Sequence, residues 1–308
     1  MLVASVVVFW IINVLPGDVA GTILGPQADP ASIATLRRQL GLDRPGWQRY
    51  LSWIGGLLSG HPGVSALSGD PVLGLVGARL GVTGWLVGLG MALALLIALP
   101  LGALGAVRRN TLLGTATEAG SQIGMAVPAF LAGTILVIIF AVRLHWLPAN
   151  GYVRLNENPG QWARHLVLPV LSLAMVQAAV LTRYVRSAFI DVLGEEYFRT
   201  ARAVGWTFNR AILRHGLRNA GLQVLTVVGL QLVTLFVGAI VVESVFVLPG
   251  LGSLLLSAVN SRDLPVVQSV VMLLVALVLV INTVIDLCYQ LIDPRLRNLD
   301  AEAEVTGQ

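Results

Sequence analysis

LGVTGWLVGLGMALALLIALPLGALGAV, residues 80–107, holds no charged side chain and is long enough to cross the hydrocarbon core of a bilayer as one helix. Five more runs, residues 1–17, 119–142, 166–182, 219–242 and 264–285, also lack Asp, Glu and Arg, so six spans are expected. The first and fourth are short. The uncharged run 244–261 is interrupted by Pro249, Gly250 and Gly252, and it reads as a turn or re-entrant piece rather than a seventh span. Composition agrees: of 308 residues 56% are apolar and 12% charged, with a mean hydropathy of +0.81, more grease than a soluble core needs.

All 20 basic residues are arginine. Without lysine the chain has no Gly-Lys-Ser/Thr phosphate loop and no amine nucleophile, so any ATP energy it uses must be borrowed. The pI near 9.8 and charge of +4 do not mark a nucleic-acid binder, because the arginines are scattered between uncharged runs. They fit a membrane topology better. Arg108, Arg109, Arg183, Arg186, Arg199, Arg202, Arg210, Arg214, Arg218, Arg295 and Arg297 fall on one side of the spans. The short loops opposite hold only Arg143, Arg154, Arg164 and Arg262, so the richer side, with both termini, is cytoplasmic. Trp85, Trp146 and Trp162 fall near outer span ends, where indoles prefer to sit. Cys288 is alone, which rules out a disulfide within the chain, and His61, His145, His165 and His215 show no metal-ligand spacing. Met1 opens directly in apolar residues without a basic flank. Leu15-Pro16-Gly17-Asp18 therefore reads as the outer end of a span whose cytoplasmic start is missing or unusually short.

Residues 18–79 are too many for a simple connection and are expected to fold as helices outside the membrane. One starts at Asp29-Pro30, presents Ile33, Leu36 and Leu40 on one face and stops at Gly41. Another follows Pro45 with Trp47, Tyr50, Leu51, Ile54, Leu57 and Leu58 as its apolar stripe, and Asp70-Pro71 opens a third. Such helices serve either to lie on the bilayer surface or to form a cap for an outside partner.

The inner loop reads Glu195-Glu196-Tyr197-Phe198-Arg199-Thr200-Ala201-Arg202-Ala203-Val204-Gly205-Trp206. Its helix formers begin with acids and close on Gly205, after which Thr207 or Asn209 can cap a second short helix bearing Arg210, Arg214 and Arg218. Tyr197, Phe198, Ala201 and Val204 are expected to leave apolar area on the cytoplasmic surface for a partner to cover.

Arg199 to Gly205, followed after nine residues by His215-Gly216-Leu217-Arg218-Asn219-Ala220, resembles the coupling loop of binding-protein-dependent ABC importer permeases. Leu40-Gly41-Leu42-Asp43-Arg44-Pro45, Trp146-Leu147-Pro148-Ala149, Val242-Glu243-Ser244-Val245-Phe246, Pro249-Gly250-Leu251-Gly252 and Asp293-Pro294-Arg295, with the Leu15 to Asp18 motif, resemble the dipeptide and oligopeptide branch, of the dipeptide permease B type. Val204 stands where that family's loop commonly has Lys. The resemblance covers nearly the whole chain. It implies an all-α membrane protein of six transmembrane helices with the type I ABC importer permease fold. Residues 1–17 are then the first helix, 18–79 a helical extracytoplasmic loop, 80–293 a five-helix core with its coupling loop at 187–218, and 294–308 a cytoplasmic tail.

The implied partners are a second homologous permease, two cytoplasmic ATPase subunits, an extracytoplasmic substrate-binding protein and membrane lipid, with no nucleic acid. The implied role is a non-catalytic subunit of the bacterial or archaeal plasma (inner) membrane that forms half of a pathway for di- or oligopeptides or similar small solutes. It binds no cofactor, ATP and Mg being used by the partner ATPases. Glu196, Tyr197, Phe198, Arg199, Thr200, Ala201, Arg202, Ala203 and Gly205 carry over as the coupling element. Gln122, Gln177, Gln231 and Glu243 are the pathway candidates: the neutral amides of the glutamines suit release of varied peptides, although packing between helices explains single glutamines as well. Glu243, at the end of the fifth span, either serves a polar role at the outer gate or fixes the Pro-Gly turn after it. Asp286, with Asn282 one turn earlier, is expected to bond within the bundle. A serine protease centred on Ser253 fails for want of a general base at that depth. An ATP-independent secondary transporter or channel is the stronger rival, but only one broken segment is visible where paired inverted repeats would show two.

Overall fold

The computed structural model describes residues 1–14, 19–25, 27–39 and 41–292. The motif at residues 15–18, Leu40, and the tail from Asp293 with Arg295 and Arg297 lie outside the described residues. The chain is helical: α1 (Leu2–Val14), α2 (Val19–Leu24), α3 (Pro30–Gln39), α4 (Gly46–Leu58), α5 (Val72–Val107), α6 (Leu112–Ala126), α7 (Ala129–Leu136), α8 (Pro159–Gly194), α9 (Glu196–Ala203), α10 (Phe208–Ala211), α11 (Leu217–Val245), α12 (Leu251–Asn260) and α13 (Leu264–Ile292). The described residues of 1–84 with 247–279 form one compact unit, and residues 85–246 with 280–292 form another.

The expected spans are found with three differences. The helices outrun the grease, since α5 starts before Arg79 and α8 continues past Arg183 and Arg186 to Gly194. A helix needs apolar side chains only where lipid touches it, and its hydrogen bonds continue beyond. The third run is not one straight rod. α6 and α7, the latter extended by a π-helical turn over Val137–Arg143, meet at 95°. Pro128 lacks an N–H and disfavours helical geometry in the residue before it, and Val127 is accordingly extended at φ −90°, ψ 117°. Finally, α1 has 13 residues, about 20 Å at 1.5 Å per residue, and is shorter than the bilayer core of about 30 Å. Among the described residues four helices are long and apolar enough to cross a membrane, or five if the bent pair is taken as one span. The run 244–261 forms the 10-residue α12, about 15 Å long and too short to span.

In the first unit Ile12, Val72, Val76, Leu251, Leu254, Val266, Val267 and Val270 share one apolar core. α4 packs beside α1: the Phe9 ring lies 5.4 Å from Tyr50 and 5.8 Å from Trp53, and Ser5 Oγ is 2.8 Å from Tyr50 Oη. Tyr50 of the expected stripe is therefore used internally, while Trp47, Leu51 and Leu58 stay exposed. The Leu251 N–H that opens α12 donates to Thr83 Oγ1 at 2.8 Å, and the buried Asp263 carboxylate accepts from Ser65 Oγ and from the Ala66 N–H at 3.1 Å.

In the second unit α8 packs against α6, α7 and α11 and buries Leu166, Leu168, Leu173, Leu181 and Val185. Its start is fixed by Asn158, whose side chain accepts the Gln161 N–H at 3.0 Å ahead of Pro159 at the first turn. α5 reaches α8 at Gly102, where an added Cβ would lie 2.6 Å from Val185 Cβ and 3.0 Å from the Arg186 amide nitrogen. Gly102→Val should therefore cost about 1–3 kcal/mol through overpacking and lower the thermal unfolding midpoint in detergent, whereas Gly88→Ala, which meets nothing within 4 Å, should leave it unchanged.

Candidate functional site

Ordinary backbone rules build the inner loop. α8 runs out at Gly194, Glu195 is extended at φ −70°, ψ 148°, and α9 follows with Glu196 in its first turn and Arg202 in its last, charges that complement the helix dipole. Its end is a Schellman motif. The Gly205 N–H donates to the Arg202 carbonyl at 3.1 Å, the Trp206 N–H donates to the Ala201 carbonyl at 3.2 Å, and Gly205 takes φ +97°. The Arg202 guanidinium adds a 2.7 Å bond to the Trp206 carbonyl.

The second short helix is continuous with a span. α10 leads through a π-helical turn, Ile212–Gly216, straight into α11, so the inner loop is the root of a membrane helix. The side chains of Asn209, His215 and Arg218 lie outside the described residues. Arg210 and Arg214 stack over the Trp206 ring, with guanidinium carbons 4.8 and 5.9 Å from its centroid.

α9 divides its residues between two faces. Phe198, 4% exposed, enters a core of Val185, Ala188, Phe189 and Val192 from α8 with Ala211, Ala220 and Val224, and meets Phe208 edge-on at 5.9 Å. The expectation that Phe198 and Ala201 contribute to an exposed apolar surface is corrected: Phe198 is core and Ala201 packs partly against it, one turn along. Glu196, Tyr197, Arg199, Thr200, Arg202, Ala203 and Gly205 are exposed, as is Val204 at 74%. What the helix leaves exposed is the apolar pair Tyr197 and Val204, two turns apart, with the guanidinium side chains of Arg199 and Arg202.

The four pathway candidates are spread over three helices, α6, α8 and α11. Gln122 on α6 is exposed, Gln231 on α11 is half-buried, and Gln177 on α8 is buried, its Oε1 without a hydrogen-bond partner. Glu243, in the last turns of α11, is 0% exposed between the buried Val242 and Phe246. Phe246 closes on α7, where a Cβ on Gly133 would lie 2.9 Å from its ring, and the Phe246 carbonyl accepts the Gly151 N–H at 3.1 Å. Asp286 and Asn282 are both exposed on α13 rather than packed between helices. One ion pair escaped the sequence reading: Arg186 on α8 holds Glu118 on α6 at 2.9 Å. Its signal was a single acid at the head of an uncharged run, but nothing in the sequence named its partner. Trp85 and Trp162, expected near outer span ends, meet edge-on at 5.3 Å.

Residues 98–298 match the family described as binding-protein-dependent transport system inner membrane component, and residues 1–76 match that of the N-terminal part of such membrane components. A probable peptide ABC transporter permease protein of Sinorhizobium fredii is 37% identical over 297 residues, covering 96% of this chain and 95% of the relative. A glutathione transport system permease protein of Escherichia coli is 39% identical, with 96% and 94% covered. Among solved structures, the MetNI methionine ABC transporter in an inward-facing conformation superposes with a TM-score of 0.60 at 19% identity, covering 71% of this chain and 96% of that one. An amino acid ABC transporter gives 0.53 at 17%, with 70% and 93% covered. The fold is that of ABC importer permeases.

With an open space around Gly205, its constraint is torsional alone. Gly205→Val should cost roughly 1–2 kcal/mol in the left-handed region. Abundance in the membrane is expected to hold, while uptake and the stimulation of ATP hydrolysis in a reconstituted system fall together. Phe198→Ala should cost about 3 kcal/mol and expose α9 to proteolysis.

Proposed function

The chain belongs to the inner membrane components of binding-protein-dependent transport systems, and from that premise we propose that it forms half of the translocation pathway of an ATP-driven importer for di- or oligopeptides or similar small solutes. The other half is a second, homologous permease. Two cytoplasmic ATPase subunits hydrolyse ATP with Mg, a substrate-binding protein delivers cargo from outside, and this chain performs no bond chemistry itself. The observation that carries the proposal is α9, a helix anchored inward by Phe198 and stopped by Gly205, which offers Tyr197, Val204 and flanking arginines to a partner. Because α10 continues into α11, a displacement of this loop moves a membrane helix directly. The missing lysine supports the division of labour, since the phosphate-binding loop must sit on another chain.

The peptide-class cargo rests on the relatives, one named for peptide and one for glutathione transport. The arginine asymmetry supports a cytoplasmic coupling loop and cytoplasmic termini in a bacterial or archaeal inner membrane. Gln122, Gln177, Gln231 and Glu243 remain our pathway candidates, with Gln177 the strongest because its buried carbonyl oxygen lacks a donor.

Purified with its candidate ATPase subunits, the chain should co-elute and raise their hydrolysis rate. Val204→Asp puts an acid on the exposed surface and should weaken co-elution at least tenfold without altering insertion. A chain that eluted alone and carried solute without ATPases would instead be a self-sufficient carrier.

A further inference from the structure

Within the first unit, α4 has three distinct sides. At ~100° per residue Tyr50, Trp53 and Leu57 share the first. There the rings of Tyr50 and Trp53 meet Phe9 of α1, and Tyr50 Oη is 2.8 Å from Ser5 Oγ. Trp47, Leu51 and Leu58 fall within an arc of about 40° on the second side. They are 60%, 56% and 81% exposed. Gln48 and Ser52 lie on the third side, also exposed. The one charged residue of α4, Arg49, is half-buried, so neither exposed side is built on charge.

The apolar side of α4 continues onto α1. That helix turns Ser5, Phe9 and Ile12 inward, all buried, and leaves Leu2, Val3, Val6, Val7, Trp10 and Ile11 exposed. Its only polar side chains are Ser5 and Asn13, so its outward surface suits acyl chains. The seam between the two helices is close: a Cβ added to Gly46 would lie 3.1 Å from Trp10 Cη2, which sets the exposed Trp10 beside the start of α4, where Trp47 follows. Trp10 stands four residues, about 6 Å, before the end of α1 at Val14, the end that the arginine distribution places outside. Lipid occupies that level, and a protein docking from outside reaches it only by displacing lipid. Indoles favour the same level.

We propose that α4 is an interfacial helix of the outer leaflet. Trp47, Leu51 and Leu58 sink among the acyl chains of phospholipid and prolong the lipid face of α1, while Gln48 and Ser52 meet headgroups and water. A helix lying on a bilayer carries its apolar side about 5–10 Å into the boundary between headgroups and chains, and the level of Trp10 falls in that range. Many such helices add basic residues on the polar side to attract anionic lipid. This one has none exposed, so apolar burial holds it and headgroup charge is immaterial. The attachment depends neither on the cargo nor on the ATPase partners assigned above.

The test uses the full chain with Cys288→Ser, in phosphatidylcholine nanodiscs, with a nitroxide placed in turn at Leu51→Cys, Leu58→Cys and Ser52→Cys. All three positions are exposed, so labelling leaves the packing of α4 on α1 intact. Electron paramagnetic resonance reads collisions with oxygen, which concentrates among acyl chains, and with a water-soluble nickel chelate. The ratio of oxygen to nickel collisions is expected to be about tenfold higher at positions 51 and 58 than at 52, because only the apolar side enters the chains. Replacing half of the lipid by phosphatidylglycerol should leave those ratios unchanged. Nickel access at 51 and 58 equal to that at 52 would leave the face in water, open to an outside protein, and overturns the proposal. Shielding of 51 and 58 from both reagents means that another protein surface, such as a second copy, covers them, and a ratio that rises only with phosphatidylglycerol means a helix held by charge; either result overturns it as well.

Discussion

Inside a bilayer no water waits for a stray amide, so every backbone N–H and C=O must find its partner within the chain. That constraint turns uncharged runs into helices, and it governs the places where helices stop. α12 begins only because Thr83 receives its first amide, and the loop after α4 is held by a carboxylate accepting an amide and a hydroxyl. Outside the spans the same pairing recurs: at the end of α9 the left-handed Gly205 brings two amides onto two carbonyls. Where no such device is present, as at Pro128, the rod breaks and its two halves part by 95°.

Much of this was legible in the sequence, and the failures have physical causes. Apolar runs located helices because lipid exposure demands them, and Gly205 marked the stop of α9 because little else tolerates its conformation. Run lengths misplaced the ends of α5 and α8, because hydropathy reports what touches lipid and says nothing of hydrogen bonds that continue past it. Pro128 was present in the sequence as a breaker, yet proline is tolerated within α5 at Pro100 and within α8 at Pro169, so a bend requires knowing whether neighbours satisfy the freed carbonyl. The expectation that Tyr197 and Phe198 both face outward fails because adjacent positions on a helix diverge by about 100°. Which of the two turns inward depends on the cluster formed by α8 and α11, distant in sequence.

Polar groups in so apolar a chain divide by what holds them. The Glu118 to Arg186 pair is partly exposed and spans two helices, a modest contribution that water and salt weaken. Asp263 is buried and accepts two hydrogen bonds, so it fixes a loop instead of attracting a cation. Gln177 is buried with its acceptor unused, so its carbonyl oxygen gives up water without gaining a donor from the chain.

The two ends of α9 respond to load in different ways. Phe198 sits in a close-fitting socket against α8, and thrust along that direction passes as compression into a packed, nearly incompressible interior. At Gly205 an added Cβ would meet nothing, and the turn is held by its left-handed backbone and two amide-to-carbonyl bonds instead of by packing. A push on α9 would therefore enter the fold through the ring, while the glycine turn sets where the helix stops. The packed and the hydrogen-bonded ends of α9 lie only two turns of helix apart.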